Sequence, residues 1–238
     1  MEILEANSIL PFILKSRFIG SGETAMCFKM NNQVLKLFNE KHFKLDSNFQ
    51  NRIKKISTIA NDTYIAPEKL LFINGKMVGY FCPYIDAVTL RKISDNTKLS
   101  ELFKSYEKLV IDTKDVSNNN FRLSDLHDEN ILFNGSYAII DLDMCFFNAD
   151  KEMNFNLNMK RVFKSVIWRI YKTKVNELPL FEDREFEYYL NHIDIKNMNE
   201  IDGLIRMIAN YSKCSDPTIK EIRHKIKVKN VYNEYFNA

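Results

Sequence analysis

The sequence predicts an α+β protein with an antiparallel-sheet first part carrying one helix and a mainly helical second part. Three observations carry that expectation. Between residues 16 and 83, short apolar runs are separated by Asn- and Gly-containing turns, the pattern of hairpins. From residue 89 onward, apolar residues recur mostly at helical spacing. The texture changes near residues 84–88, which divides the chain into residues 1–84 and 85–238.

The elements follow in order. Residues 16–20 read as a strand ending at Gly20-Ser21-Gly22. Residues 24–30 and 33–38 read as two strands around Asn31-Asn32, since asparagine tolerates positive φ in a tight turn. Residues 41–59 form an amphipathic helix on the spacing of Phe49, Ile53, Ile56 and Ile59. Residues 69–73 and 77–83 flank Asn74-Gly75, a second hairpin signal. A helix is expected over residues 89–110, with Leu99, Leu102, Phe103, Tyr106 and Leu109 on one face. Short strands at 130–133 and 137–142 surround Asn134-Gly135, and helices are expected from about residue 155 to the end. Phe146-Phe147 and Trp168 read as core.

Composition narrows the function classes. At 238 residues and 45% hydrophobic, the chain can bury a real core. A formal charge of +3 gives no nucleic-acid footprint, so no nucleic-acid partner is expected. No run approaches eighteen uncharged apolar residues and the first residues do not read as a signal peptide, so no membrane partner is expected and the expected location is cytoplasmic, or a host cytoplasm after delivery. Four scattered cysteines suggest neither a zinc site nor a disulfide framework.

Four features carry chemistry. Gly20, Ser21 and Gly22 lie between two strands, where a backbone without side chains can approach a phosphate. Lys36 sits in the middle of an apolar strand, and Leu35 and Leu37 point to the opposite face. In residues 123–133 an Asp and an Asn five apart, Asp125 and Asn130, precede an apolar strand; the first can orient a hydroxyl proton and the second can ligate a hard cation. Asp141 directly follows three apolar residues, with Asp143 beside it, and a carboxylate there can hold a magnesium ion.

In this order, Gly-x-Gly-x-x-Ala, a strand lysine, Asp-Leu-His-x-x-Asn and Ile-Asp resemble the protein-kinase-like superfamily over roughly residues 16–145. The Asp125-Leu-His-x-x-Asn130 form is similar to its bacterial, atypical and small-molecule branches, among them aminoglycoside phosphotransferases and choline kinases. The resemblance implies a bilobal fold and an ATP- and Mg2+-dependent transfer of a phosphoryl group to a hydroxyl. Gly20, Ser21 and Gly22 would cover the phosphates, Lys36 would hold them, and Phe81, Pro83, Tyr84 and Ile85 would meet the adenine. Asp125 would be the catalytic carboxylate, with Asn130 and Asp141 on magnesium and Asp143 as the adjacent candidate. His127 would support the loop around Asp125.

The departures from the pattern are specific. Leu123-Ser124 stands where His-Arg is usual, and Asp141-Leu142-Asp143 stands where Asp-Phe-Gly is usual. The first helix holds no glutamate to pair with Lys36, so Glu40 or Asp46 would serve or the pair is absent. The leading expectation is a kinase for Ser/Thr of a protein. The alternatives are a small-molecule phosphotransferase and a nucleotide-binding pseudokinase scaffold.

Overall fold

The computed structural model describes residues 1–39, 45–171 and 192–225. The protein is mixed α+β, with a mainly antiparallel sheet and several helices. It separates into two compact units, one made of Met1–Asp86 with Ala138–Cys145, the other of Ala87–Tyr137 with Phe146–Ala238.

The first unit is built on a six-stranded sheet. Its strands are β1 (Glu2–Ala6), β2 (Arg17–Ser21), β3 (Ala25–Met30), β4 (Gln33–Phe38), β5 (Lys69–Ile73) and β6 (Lys76–Pro83), in the spatial order β1-β5-β6-β4-β3-β2. The turns are where Asn and Gly place them, with Asn31 at φ 54°, Asn74 at φ 51° and Gly75 at φ 75°. All neighbours are antiparallel except β1 and β5, which run parallel. β1 and the short helix α1 (Leu10–Leu14) had no signal in the sequence. β1 extends the sheet beside β5, and α1 with Ile9 covers one sheet face, where Phe28, Leu35, Leu37, Leu71 and Phe81 form the core.

Helix α2 (Ser47–Ile56) covers the other face. It is shorter than the expected 41–59; Asp46 ends it by accepting the Phe49 N–H at 2.9 Å, and Ser57 closes its last turn. Residues 40–44, which include Glu40, lie outside the described residues. Phe49 of α2 meets Phe38 edge to face, with ring centroids 5.1 Å apart.

The second unit begins with β7 (Val88–Thr89) and a 3-10 turn at Leu90–Lys92. The single helix expected over 89–110 is therefore interrupted. Asp95-Asn96 turns the chain, and the apolar stripe is shared by α3 (Leu99–Phe103) and α4 (Tyr106–Asn118). Then come β8 (Phe121–Arg122), β9 (Ile131–Phe133), β10 (Tyr137–Ile139), a 3-10 turn at Leu142–Met144 and β11 (Phe146–Phe147). β10 carries the chain back into the first unit, where Ile139 bridges Tyr64. The expected strand to residue 142 stops at Ile139, because the backbone turns left-handed at Asp141.

Helix α5 (Lys151–Tyr171) starts where Asp150 accepts the Met153 N–H at 2.9 Å. It buries Val162, Val166, Ile167 and Ile170. Helix α6 (Met198–Ser212) follows residues 172–191, which lie outside the described residues, as do 226–238. Phe146 and Phe147 are exposed rather than core, because among the described residues β11 pairs with β8 alone. Trp168 is half-buried, with the Arg91 guanidinium 5.5 Å from its ring. All four cysteines are free thiols.

Candidate functional site

Lys36 follows from strand alternation. Leu35 and Leu37 enter the core under α1, so Lys36 must emerge on the α2 side, opposite Cys27 on β3 and Tyr80 on β6. There it is 6% exposed. A buried ammonium needs partners. Two carboxylates more than a hundred positions along the chain supply them. The Lys36 Nζ donates to Asp141, and to Asp143 Oδ1 and Oδ2 at 3.0 and 3.2 Å.

The cluster settles its own charges. Burial alone would pull the Lys36 ammonium down, but Asp143 and Asp141 outweigh it and hold the lysine above its usual range. Burial pushes the Asp143 carboxyl up to about 7, Asp141 adds to the shift, and Lys36 opposes it. Burial also raises the Cys27 thiol, so the neighbouring lysine does not make it a reactive thiolate.

The two acids are held differently. Asp143 is buried on the 3-10 turn, and its carbonyl accepts from Arg52 of α2 at 3.4 Å. Asp141 keeps a partly exposed side chain and stands at φ 63°, ψ 52°. That left-handed conformation costs a non-glycine residue roughly 1 kcal/mol, which aspartate offsets better than most. Asp46, one of the acids considered for Lys36, spends its carboxylate on the α2 cap instead.

Gly20 and Gly22 lie at the end of β2, past an irregularity between Phe18 and Gly20, and Gly22 N–H closes the turn on Ala25 O at 2.9 Å. Neither has positive φ, and a Cβ on either would meet nothing within 4 Å. The fold itself gives no reason for glycine there. Ser21 pairs with Met26 across the hairpin.

The candidate adenine segment divides. The Phe81 side chain belongs to the core under α1, 6.0 Å from the Phe12 ring. Pro83 and Ile85 line a cavity of about 640 Å³ with Tyr64, Pro67 and Glu68, and Lys36 does not reach it. Tyr84 donates its backbone N–H to Asn32 O at 2.8 Å and lies under the Lys29 ammonium.

In the second unit, Asp125 and Asn130 belong to one tight loop between β8 and β9. Asp125 presents an exposed carboxylate. Asn130 Nδ2 donates to the Asp125 carbonyl at 2.8 Å, which fixes the amide and leaves its Oδ1 without a partner among the described residues. His127 holds the turn. Its carbonyl accepts the Asn130 N–H at 3.0 Å, its Nδ1 accepts from Glu129 N–H at 3.3 Å, and its Nε2 stands 3.6 Å from Asp125 Oδ1.

Three residues that sequence reasoning passed over shape this frame. Arg91 grips Asp128 with two bonds of 2.8 and 3.0 Å and Glu129 with one of 2.7 Å, which ties the loop from outside. Asn158 of α5, fully buried, accepts the Leu123 N–H at 2.9 Å and donates to Phe121 O at 3.0 Å. Its signal was available, because a polar residue on the apolar stripe between Phe155 and Val162 needs a buried partner. Arg52 gave no signal.

Among the described residues, no group of three or more His, Cys, Asp or Glu side chains is gathered to hold a metal ion. Asp141 and Asp143 form a two-carboxylate pair of hard oxygen donors, a set that suits magnesium when substrate phosphates and water complete its shell. No helix among the described residues is long and apolar enough to cross a membrane. No family model matches the chain, and no curated protein matches it.

Proposed function

We propose that this chain is an ATP- and Mg2+-dependent kinase of the bilobal, protein-kinase-like type, acting on a Ser or Thr hydroxyl of a protein. The observation that carries the reading is the buried Lys36 joined to Asp141 and Asp143. A strand lysine and two acids at the end of a later strand are what phosphate and magnesium require together. Three features add support: the open glycines Gly20 and Gly22, the left-handed backbone at Asp141, and the Asp125 loop with its oriented Asn130.

Phosphoryl transfer asks the protein mainly for positioning and charge. On this reading Lys36 would exchange a carboxylate for phosphate oxygens, Asp141 and Asp143 would hold magnesium, and Asn130 Oδ1 would offer a further oxygen donor. Bound magnesium supplies charge neutralisation at the phosphate oxygens. The exposed Asp125 carboxylate accepts and orients the acceptor hydroxyl proton. Gly20 and Gly22 let the backbone N–H groups come close to the phosphates, and ATP meets Pro83, Tyr84 and Ile85 through its base.

A second reading, nucleotide binding without transfer, is favoured by one observation. Helix α2 offers Asp143 an arginine, Arg52, and its one acid near the N-terminus, Asp46, is engaged as a cap. Incubation with radiolabelled ATP and magnesium, alone and with a protein mixture, separates the two. Label on this chain or on acceptor protein is expected, falling at least about a hundredfold in Asp125→Ala. Thermal stabilisation by ATP and magnesium with no label on any acceptor would select the binding-only reading. No stabilisation, in wild type and Lys36→Ala alike, would remove both.

A further inference from the structure

Arg122 and Arg161 have no ion-pair partner among the described residues, and each hides a guanidinium N–H from solvent with no acceptor, Nε of Arg122 and Nη1 of Arg161. A hidden donor that nothing satisfies destabilises the fold, the more so when it is charged. Three links place the two arginines together. Arg122 sits on β8, three residues before Asp125. Asn158 of α5 clasps the backbone on either side of Arg122, through Phe121 O and Leu123 N–H. Arg161 is three residues beyond Asn158 on the same helix, and so lies on the same face, over β8. The electrostatics agree with that placement: burial holds the Arg161 guanidinium below the usual arginine range, Arg122 lowers it further, and Asp125 opposes. Two like charges with hidden, unused donors are a poor arrangement for a fold on its own and a good one for an anion.

We propose that Arg122 and Arg161 form an anion-recognition site beside Asp125 that selects acidic peptide acceptors. This rests on the kinase reading and deepens it. Three extended residues span about 10 Å, so the arginines reach an acidic side chain within about three positions of the acceptor hydroxyl. An aspartate or glutamate there pairs with the outward N–H groups of the two guanidiniums, those not among the hidden donors, and offsets the repulsion between them. The same pair repels a cationic acceptor, which sets this site apart from one made for a cationic small molecule.

The test separates binding from transfer. A fluorescent nine-residue serine peptide flanked by aspartates, and its lysine-flanked counterpart, are titrated into the full chain carrying Asp125→Asn, without ATP. The acidic peptide is expected to bind at least about tenfold tighter than the basic one. R122Q and R161Q are each expected to lose about tenfold, with R161K keeping part of the affinity, since a lysine retains the charge without the fork. Equal binding of the two peptides by the unaltered arginine pair overturns the site and needs no arginine variant to fold. Unchanged binding in both glutamine variants overturns it as well, as does displacement by inorganic phosphate at a concentration equal to that of the peptide. Phosphoryl transfer by the wild type is scored separately on both peptides. Acidic-peptide binding that needs both arginines, with no transfer, leaves this site standing and removes the kinase reading. Transfer without acidic preference removes the site alone.

Discussion

At the scale of single residues, the site depends on one cation serving two anions. Removing Lys36 takes from Asp143 and Asp141 the ammonium that both accept from, and a buried pair broken in this way costs about 3 kcal/mol. Lys36→Ala is expected to lose about that much in urea unfolding at pH 7, and Asp143→Asn in the same chain to recover part of it. A loss within experimental error would mean that the ammonium is not held as described. Asp143 also gives the protein a pH signature. Its carboxyl rises from 3.8 to about 7 on folding, so between those values the folded chain holds a proton that the unfolded chain has released. The contribution of this group to stability therefore falls as pH rises through that window and is flat above it. Asp143→Asn is expected to remove that slope from a pH series of melting temperatures; an unchanged slope would place the titration elsewhere. The sequence showed Lys36 plainly, because a lysine between Leu35 and Leu37 breaks an apolar strand. It did not show the partners. The expected partners Glu40 and Asp46 lie near the first helix, where Asp46 is a cap, while the acids that meet Lys36 lie 105 and 107 positions away. Local periodicity carries no information about such a pairing.

At the scale of elements, what was legible in the sequence was whatever the backbone decides locally. The hairpins at Asn31-Asn32 and Asn74-Gly75 stand where positive φ is cheap, and β3 and β4 fall within a residue of their expected spans. β1 and α1 escaped notice because each is defined by a distant partner: β1 by its parallel register with β5, α1 by the sheet face it covers. Arg91 and Asn158 escaped for the same reason, since their bonds to the Asp125 loop and its flanks span more than thirty residues. One strand position combines both kinds of constraint. Gly79 of β6 lies against β4 so closely that a Cβ there would stand 2.2 Å from the Lys36 carbonyl oxygen. The obstructing atom is backbone and cannot rotate away, so the β4–β6 pairing itself would have to shift. Gly79→Ala is expected to destabilise by about 2 kcal/mol in denaturant unfolding. On the kinase reading, stabilisation by ATP is expected to fall further than that loss explains, because Lys36 moves with its carbonyl. A fully stable Gly79→Ala protein would show that the strands can separate at no cost.

At the scale of the whole molecule, the first unit is discontinuous in sequence, and its returning piece is the one that brings Asp141 and Asp143 to Lys36. Residues Met1–Asp86 form the six-stranded sheet and α2, but Ala138–Cys145 returns to them from the far side of the Asp125 loop. That returning segment does three things at once. Ile139 exchanges backbone bonds with Thr63 and Ile65, at 2.6 and 2.9 Å. The turn at Leu142–Met144 packs on α2, and Asp143 accepts from Arg52 there. Asp141 and Asp143 neutralise the ammonium that β4 buries. A fragment ending at residue 86 therefore keeps the sheet's strand order but loses the lid over α2 and leaves Lys36 buried without counter-charge. Expressed alone, residues 1–86 are expected to show no cooperative thermal transition. The same fragment joined through a flexible glycine-serine linker to residues 136–146 is expected to regain one, and Lys36→Ala in the joined form to lose much of the gain. The length of the linker matters little, because loop closure adds only about 0.6 kcal/mol for each doubling. A cooperative transition in residues 1–86 alone, equal to that of the joined form, would show that the unit is complete without its returning strand, and that the lysine and its two acids are not what fastens the segment in place.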